Sequence, residues 1–396
     1  MHLASKKEES CMKKELEIYI HIPFCVKKCA YCDFLSGPQD KETIERYVSR
    51  LLKEIQVHAS KQKFTLDYEV ITIFLGGGTP SVLEANQIQR IFEMLKNSFK
   101  ISKDAEITIE ANPGTVTVEK LEAYKKCGIN RISFGLQSTN NEELKLLGRI
   151  HTYEEFLESY QLARACGFEN INVDLISAIP KQTVASWEET LSTVIALNPE
   201  HISAYSLIVE EGTPFAKLYG EGCPGEHDLP REEEERVIYY RTEELLEKAG
   251  YHRYEISNYA KKGKECRHNL GYWERKEYLG IGLGAASLIN NVRYKNTDDL
   301  LYYMEHSSDL SAIQENVEKL SLQEQMEEFM FLGLRKMEGV SVTEFKNTFG
   351  NNMEECYGEQ IQKLKEQGLL EQKDGRLMLT RPGIDVSNYV FGEFVI

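Results

Sequence analysis

Residues 19–32 read Tyr19-Ile20-His21-Ile22-Pro23-Phe24-Cys25-Val26-Lys27-Lys28-Cys29-Ala30-Tyr31-Cys32, a strand-like run that leads straight into three cysteines spaced CxxxCxxC. Random placement of 9 cysteines among 396 residues would give that spacing roughly 0.005 times. Thiolates are the usual protein ligands of iron-sulfur clusters, and a four-iron cluster held by three of them leaves one iron for a small molecule. A structural zinc site or a redox pair is the plainer alternative. Zinc normally takes four closed ligands, commonly as two CxxC-like pairs, and the chain has no second pair and no isolated CxxC of the thioredoxin kind.

Outward from this stretch, short β-branched runs alternate with amphipathic ones, the pattern of βα units around a parallel sheet. Six strands are expected at residues 17–22, 69–75, 106–110, 130–135, 170–176 and 201–207. Helices are expected near 41–59, 84–98, 117–126, 152–166 and 183–196, the last capped by Thr183 or Ser186. Six units make an incomplete barrel or an open curved sheet. A charged helix near 230–249 follows, stopped by Gly250, then a mixed segment. Residues 321–336 read as a helix, and the last stretch as a small winged-helix-like module: helices near 342–349 and 354–367, then a hairpin over 369–379 turning at Asp374-Gly375. The expected division is a tail (1–16), a core domain (17–250), a mixed α/β extension (251–320) and the winged-helix-like domain (321–396). Met12 reads as an alternative start, with a disordered tail before it as the other reading.

The charge balance narrows the partners. With 47 basic and 63 acidic residues the net charge is −16, which argues against a general nucleic-acid binder. Residues 341–396 carry six basic and nine acidic side chains, so that module is expected to pack against the barrel or a protein partner. No apolar run reaches bilayer length and the N-terminus lacks a signal-peptide centre, so a cytoplasmic protein is expected. The scattered cysteines 11, 127, 166, 223, 266 and 356 suit a reducing compartment.

Parallel strands deliver their C-terminal ends to one rim, where sites are built. Cys25 to Cys32 follow the first strand, Gly76-Gly77-Gly78-Thr79-Pro80 the second and Gln137 the fourth, while Glu110 ends the third and Asp174 lies near the end of the fifth. A glycine run is often only a tight turn, but beside an open iron it lets an amino acid's ammonium and carboxylate approach the main chain. Glu110 and Asp174 are either ordinary salt-bridge acids or acceptors for ribose hydroxyls. Arg149 offers a fork of donors to a carboxylate, and Gln137 offers both donor and acceptor.

The segments YIHIPFCVKKCAYCDF, FLGGGTP, EANPG, SFGLQS, LLGRIH and DLISAIPKQT resemble, in order and spacing, the radical S-adenosylmethionine (SAM) proteins related to oxygen-independent coproporphyrinogen III oxidase. The likeness covers essentially the whole chain from Met12. It implies an α/β fold: a partial (β/α)6 TIM-type barrel with a C-terminal α+β extension and a small winged-helix-like module. It also implies a [4Fe-4S] cluster on Cys25, Cys29 and Cys32, with the methionyl part of SAM on the fourth iron. The matching cofactor positions are Tyr19, Tyr31, Gly77, Gly78, Thr79, Glu110, Gln137, Arg149, Asp174 and, by a weaker alignment, Ser206. In such proteins an electron from the reduced cluster breaks the sulfonium bond, giving methionine and a 5′-deoxyadenosyl radical.

Two purposes exist within that family. The decarboxylating oxidase has a further cysteine two places after the triad, where this chain has Phe34, and a longer segment before its cluster motif than the 24 residues preceding Cys25 here. In turn, Cys266-Arg267-His268-Asn269-Leu270-Gly271-Tyr272-Trp273 is similar to the HNxxYW motif of HemW-type haem chaperones. A lone His is more often a hydrogen-bonded structural residue, yet a neutral imidazole can ligate haem iron, and Tyr and Trp offer flat apolar surface to a macrocycle. His268 is therefore the expected haem residue, ahead of Cys223 and His21. The resemblance implies a haem carrier that delivers to an acceptor such as a membrane respiratory protein, with an electron donor for the cluster and a homodimer as one assembly. The competing expectation is a coproporphyrinogen III oxidase.

Overall fold

The computed structural model describes residues 13–60 and 67–395; Met12 and the segment before it lie outside the described residues. Six strands, β1 (Lys14–Ile22), β2 (Tyr68–Gly77), β3 (Ile101–Ala111), β4 (Arg131–Gln137), β5 (Ile171–Ser177) and β6 (His201–Ser206), lie side by side in sequence order. All five neighbouring pairs are parallel. Alternation decides the two faces of β1. Leu16, Ile18, Ile20 and Ile22 are buried in the core they share with Tyr47, Val48 and Leu51 of the helix Lys41–Ser60, whereas Glu17, Tyr19 and His21 fall on the other face.

The expected helices appear as Ala85–Ser98, Val118–Cys127, Tyr153–Ala165 and Val184–Leu197. Their ends follow capping chemistry: Thr183 accepts from the Ser186 amide at 3.1 Å while Ser186 closes the box, and Asn198 stops that helix in the left-handed region. The charged helix is Glu232–Lys248; it is tied to the barrel by Trp187, fully buried, whose indole donates to Thr242 Oγ1 at 2.8 Å.

The mixed segment extends the sheet at both edges. β7 (His252–Arg253) and β8 (Asn258–Ala260) add antiparallel beyond β6. β9 (Tyr278–Ile281) lies parallel to β1 on its other side, followed by antiparallel β10 (Ala286–Ile289), β11 (Val292–Asn296) and β12 (Gln314–Lys319). β9 is a seventh parallel strand that the sequence reading did not resolve; four residues with a glycine carry too little periodicity. The C-terminal segment has its own core, with Met330, Phe345, Tyr357, Leu364 and Phe394 buried together. There β13 (Val340–Ser341), β15 (Arg376–Leu379) and β14 (Leu370–Lys373) form a second sheet in that order. Its hairpin turns at Asp374 and Gly375, with φ of 51° and 75°, the double left-handed geometry that Asp-Gly favours.

Candidate functional site

The loop after β1 carries the three thiols. It is pinned at several points: the Cys25 amide donates to Gly37 O at 3.1 Å, the Ala30 amide to Leu147 O at 3.0 Å, and His21 Nε2 meets Leu35 O at 2.9 Å. Cys25, Cys29 and Cys32 are half-buried and line one cavity of about 480 Å³. Tyr31, Gly77, Gly78, Thr79, Glu110, Gln137, Arg149, Asp174 and Ser206 line the same cavity. Residues contributed by the ends of six strands thus converge where the parallel layout requires.

Three observations test whether a cluster fits. The Arg149 guanidinium donates to Cys29 Sγ at 3.5 Å, and Thr79 Oγ1 to Cys25 Sγ at 3.5 Å, so a cation and a hydroxyl stand where thiolate charge would develop. A Cβ on Gly78 would lie 2.6 Å from Phe24 O and 3.0 Å from Cys25 Sγ, so only glycine lets the β2 turn pass this close under the loop. Among the described residues, no three His, Cys, Asp or Glu side chains converge to hold a single metal ion. A cluster asks for something else, three sulfurs facing one cavity, each under its own iron. The donor set fits it.

The far side of the cavity is acidic and polar. Glu110 accepts from the Gly77 amide at 3.1 Å, and burial, with the charge of Asp174 second, pushes its carboxyl up to about 8. Burial also raises Asp174, opposed by hydrogen bonds from Ser133 (3.0 Å) and Asn172 (2.7 Å). Arg149 is locked by Asn112 Oδ1 (2.8 Å) and Gly135 O (2.5 Å), and its buried Nε has no partner. Asn112, which also donates to Thr79 Oγ1 at 2.8 Å, has no role in the sequence reading. Its position two residues after Glu110, at a strand end, was the available signal.

Two expected residues stand elsewhere. Tyr19 lines a different cavity, with its hydroxyl 3.0 Å from His21 Nδ1. His268 is 1% exposed, and both ring nitrogens are occupied: Nδ1 lies 2.7 Å from Thr72 Oγ1 and Nε2 3.0 Å from Tyr272 Oη. Its ring stacks on Phe74 at 5.2 Å, and burial, with the charge of Arg131 second, lowers it to about 3, so it is a neutral imidazole with both nitrogens engaged inside the protein. The whole motif helix, Arg267–Trp273, is seated against the inward face of the strands. Glu106 accepts from the amides of Arg267 (3.2 Å) and His268 (3.1 Å), and a Cβ on Gly271 would fall 1.9 Å from Glu17 Oε1. Cys223 is engaged locally, its Sγ 3.4 Å from Ala216 O.

Known proteins bear on this arrangement. The model of the Radical SAM superfamily matches residues 19–194, and that of the HemN C-terminal domain matches residues 320–386. The chain is 37% identical over 378 residues to the heme chaperone HemW of Bacillus subtilis, covering 95% of this chain and 98% of that one. It is 41% identical over 271 residues to the heme chaperone HemW of Escherichia coli, covering 68% and 69%. Among solved structures, coproporphyrinogen III oxidase HemN of Escherichia coli superposes with a TM-score of 0.83 at 24% identity, covering 96% of this chain and 90% of that one, a likeness of fold. By its length-spanning identity to these relatives, the chain belongs to the HemW-type haem chaperones of the radical SAM superfamily.

Proposed function

We propose that this protein binds haem and hands it to an acceptor protein, while holding a [4Fe-4S] cluster on Cys25, Cys29 and Cys32 with SAM at the fourth iron. The observation that carries this reading is the seating of the HNxxYW helix: it fills the inward face of the strands and turns Tyr272 and Trp273 toward a cavity beside β1. The relatives' names, heme chaperone, agree with it.

Within the thiol cavity the roles follow from chemistry. Gly77 and Gly78 let the main chain meet the methionyl ammonium and carboxylate, Glu110 and Asp174 face the ribose hydroxyls, and Arg149 holds charge beside Cys29. When bound and reduced, the cluster supplies an electron to the sulfonium. A membrane respiratory protein as acceptor, a dedicated electron donor and a homodimer complete the proposal.

The alternative, decarboxylation of coproporphyrinogen III, has the HemN-like fold in its favour. Against it stands Phe34, 69% exposed at the position of the oxidase's additional cysteine. Anaerobic reconstitution separates the two. The expected result is a Soret band on haem titration, haem passing to an apo-acceptor, and no protoporphyrinogen IX from coproporphyrinogen III; formation of that product overturns the carrier reading. Replacing any one of Cys25, Cys29 or Cys32 by Ser is expected to abolish the brown cluster absorption, and its retention in all three variants refutes the ligand assignment.

A further inference from the structure

A second cavity, of about 570 Å³, opens where β1, the β9–β10 pair and the helix Leu322–Gly333 meet. Its volume falls within the roughly 300–1,000 Å³ typical of ligand sites. The wall is aromatic: Tyr19, Tyr272, Trp273, Tyr278 and Phe331. Tyr272 and Tyr278 meet edge to face at 4.8 Å, and Trp273 is backed by the Arg335 guanidinium 4.4 Å from its ring. Two further guanidiniums, Arg275 and Arg293, reach the lining, both paired with the single carboxylate of Glu328. Two cations against one anion leave a surplus positive charge beside an aromatic slot.

Such a slot suits a flat, mostly apolar ring that carries carboxylates. The thiol cavity suits it less well: its three sulfurs and glycines are assigned to the cluster and SAM, and its charged lining is mixed, with Lys27, Lys28 and Arg149 against Asp33, Glu110, Asp174 and Glu210. Resting on the haem-carrier reading, the geometry points to this second cavity as the tetrapyrrole site, with the ring against Tyr272 and Trp273 and its carboxylates toward Arg275 and Arg293. His268 serves the site through Tyr272, whose hydroxyl it holds at 3.0 Å, and is a positioning residue there.

The test is haem titration of the full chain with its cluster reconstituted, following the Soret band. Ala286 lines the cavity and is exposed on β10, so Ala286→Trp fills the slot with little strain on the core. Arg293→Ala removes one cation and leaves the Arg275–Glu328 pair, 2.7 Å apart, in place. Ala286→Trp is expected to weaken haem binding at least about tenfold and Arg293→Ala about tenfold, the latter with no effect on the dimethyl ester of haem. Ile208→Trp, which crowds the thiol cavity instead, should leave haem affinity unchanged. Wild-type affinity in both Ala286→Trp and Arg293→Ala overturns the site, as does a loss confined to Ile208→Trp. If Ala286→Trp does not fold, the Arg293→Ala comparison between haem and its ester decides alone. Absence of haem binding by the wild-type chain defeats the carrier reading itself, a distinct result.

Discussion

His21 Nε2 lies 2.9 Å from the carbonyl oxygen of Leu35, so an inward-facing residue of β1 anchors the far end of the loop that carries the three thiols. The same imidazole meets the Tyr19 hydroxyl at 3.0 Å through Nδ1, and Tyr19 lines the aromatic cavity. The pair lines the aromatic cavity and, through Leu35 and the His21 ring beside Gly77, forms the partition against the thiol cavity.

That partition predicts coupling. His21→Phe keeps the ring volume and removes both bonds, each worth about 1 kcal/mol. The variant is expected to fold, to lose its cluster absorption faster in air, and to bind haem with an affinity no longer dependent on the cluster. Bleaching at the wild-type rate would show that the anchor does not matter.

Gly77 has φ of +112°, and a Cβ there would sit 2.5 Å from the His21 ring. Gly77→Ala therefore combines backbone strain of about 1–3 kcal/mol with a clash against that partition. We expect a lowered Tm and failure to retain SAM in equilibrium dialysis. Gly37→Ala is the control, since a Cβ at Gly37 meets nothing within 4 Å. Equal behaviour of the two variants would contradict the account.

Glu17 is buried against the motif helix, neither carboxyl oxygen has a hydrogen-bond partner, and burial pushes the group from 4.5 up to about 9. Between those values the unfolded chain has released this proton while the folded chain keeps it. Folding then takes up a proton, so stability falls as pH rises across the window, with a slope of up to about 1.4 kcal/mol per pH unit. Glu17→Gln preserves the neutral shape and should flatten Tm between pH 6 and 8.5 relative to wild type. Parallel profiles for the two proteins would mean that Glu17 is ionised in the fold.

Because both nitrogens of His268 are bonded inside the protein, His268→Ala should weaken haem binding yet leave the Soret maximum at its wild-type wavelength, and Tyr272→Phe should do the same. A shifted maximum in His268→Ala alone would instead identify its imidazole as an iron ligand.

Much of the thiol cavity was legible beforehand because its residues sit at fixed offsets from strand ends. β-branched runs locate β1 to β6, parallel pairing sends their C-terminal ends to one rim, and Cys25, Gly77, Glu110, Gln137 and Asp174 then meet without further information. What the strand pattern did not show is the second cavity that Tyr19 lines: its inward direction on β1 sets it beside β9 and the motif helix, while its ring and Glu110 flank Gly76. Nothing local announces a helix of seven residues pressed on Glu17 and Glu106, since both contacts cross more than 150 positions of chain.

The order of residues alone determined the parallel core and the delivery of three thiols to one rim, because strand periodicity, turn glycines and thiol spacing act over a few residues. Only the tertiary structure decided where the HNxxYW segment sits and what its side chains face. Whether an imidazole faces solvent, a cavity or a threonine depends on which distant side chains pack around it, and here Thr72, Phe74 and Tyr272 enclose His268 while Tyr272 and Trp273 are left to face the second cavity.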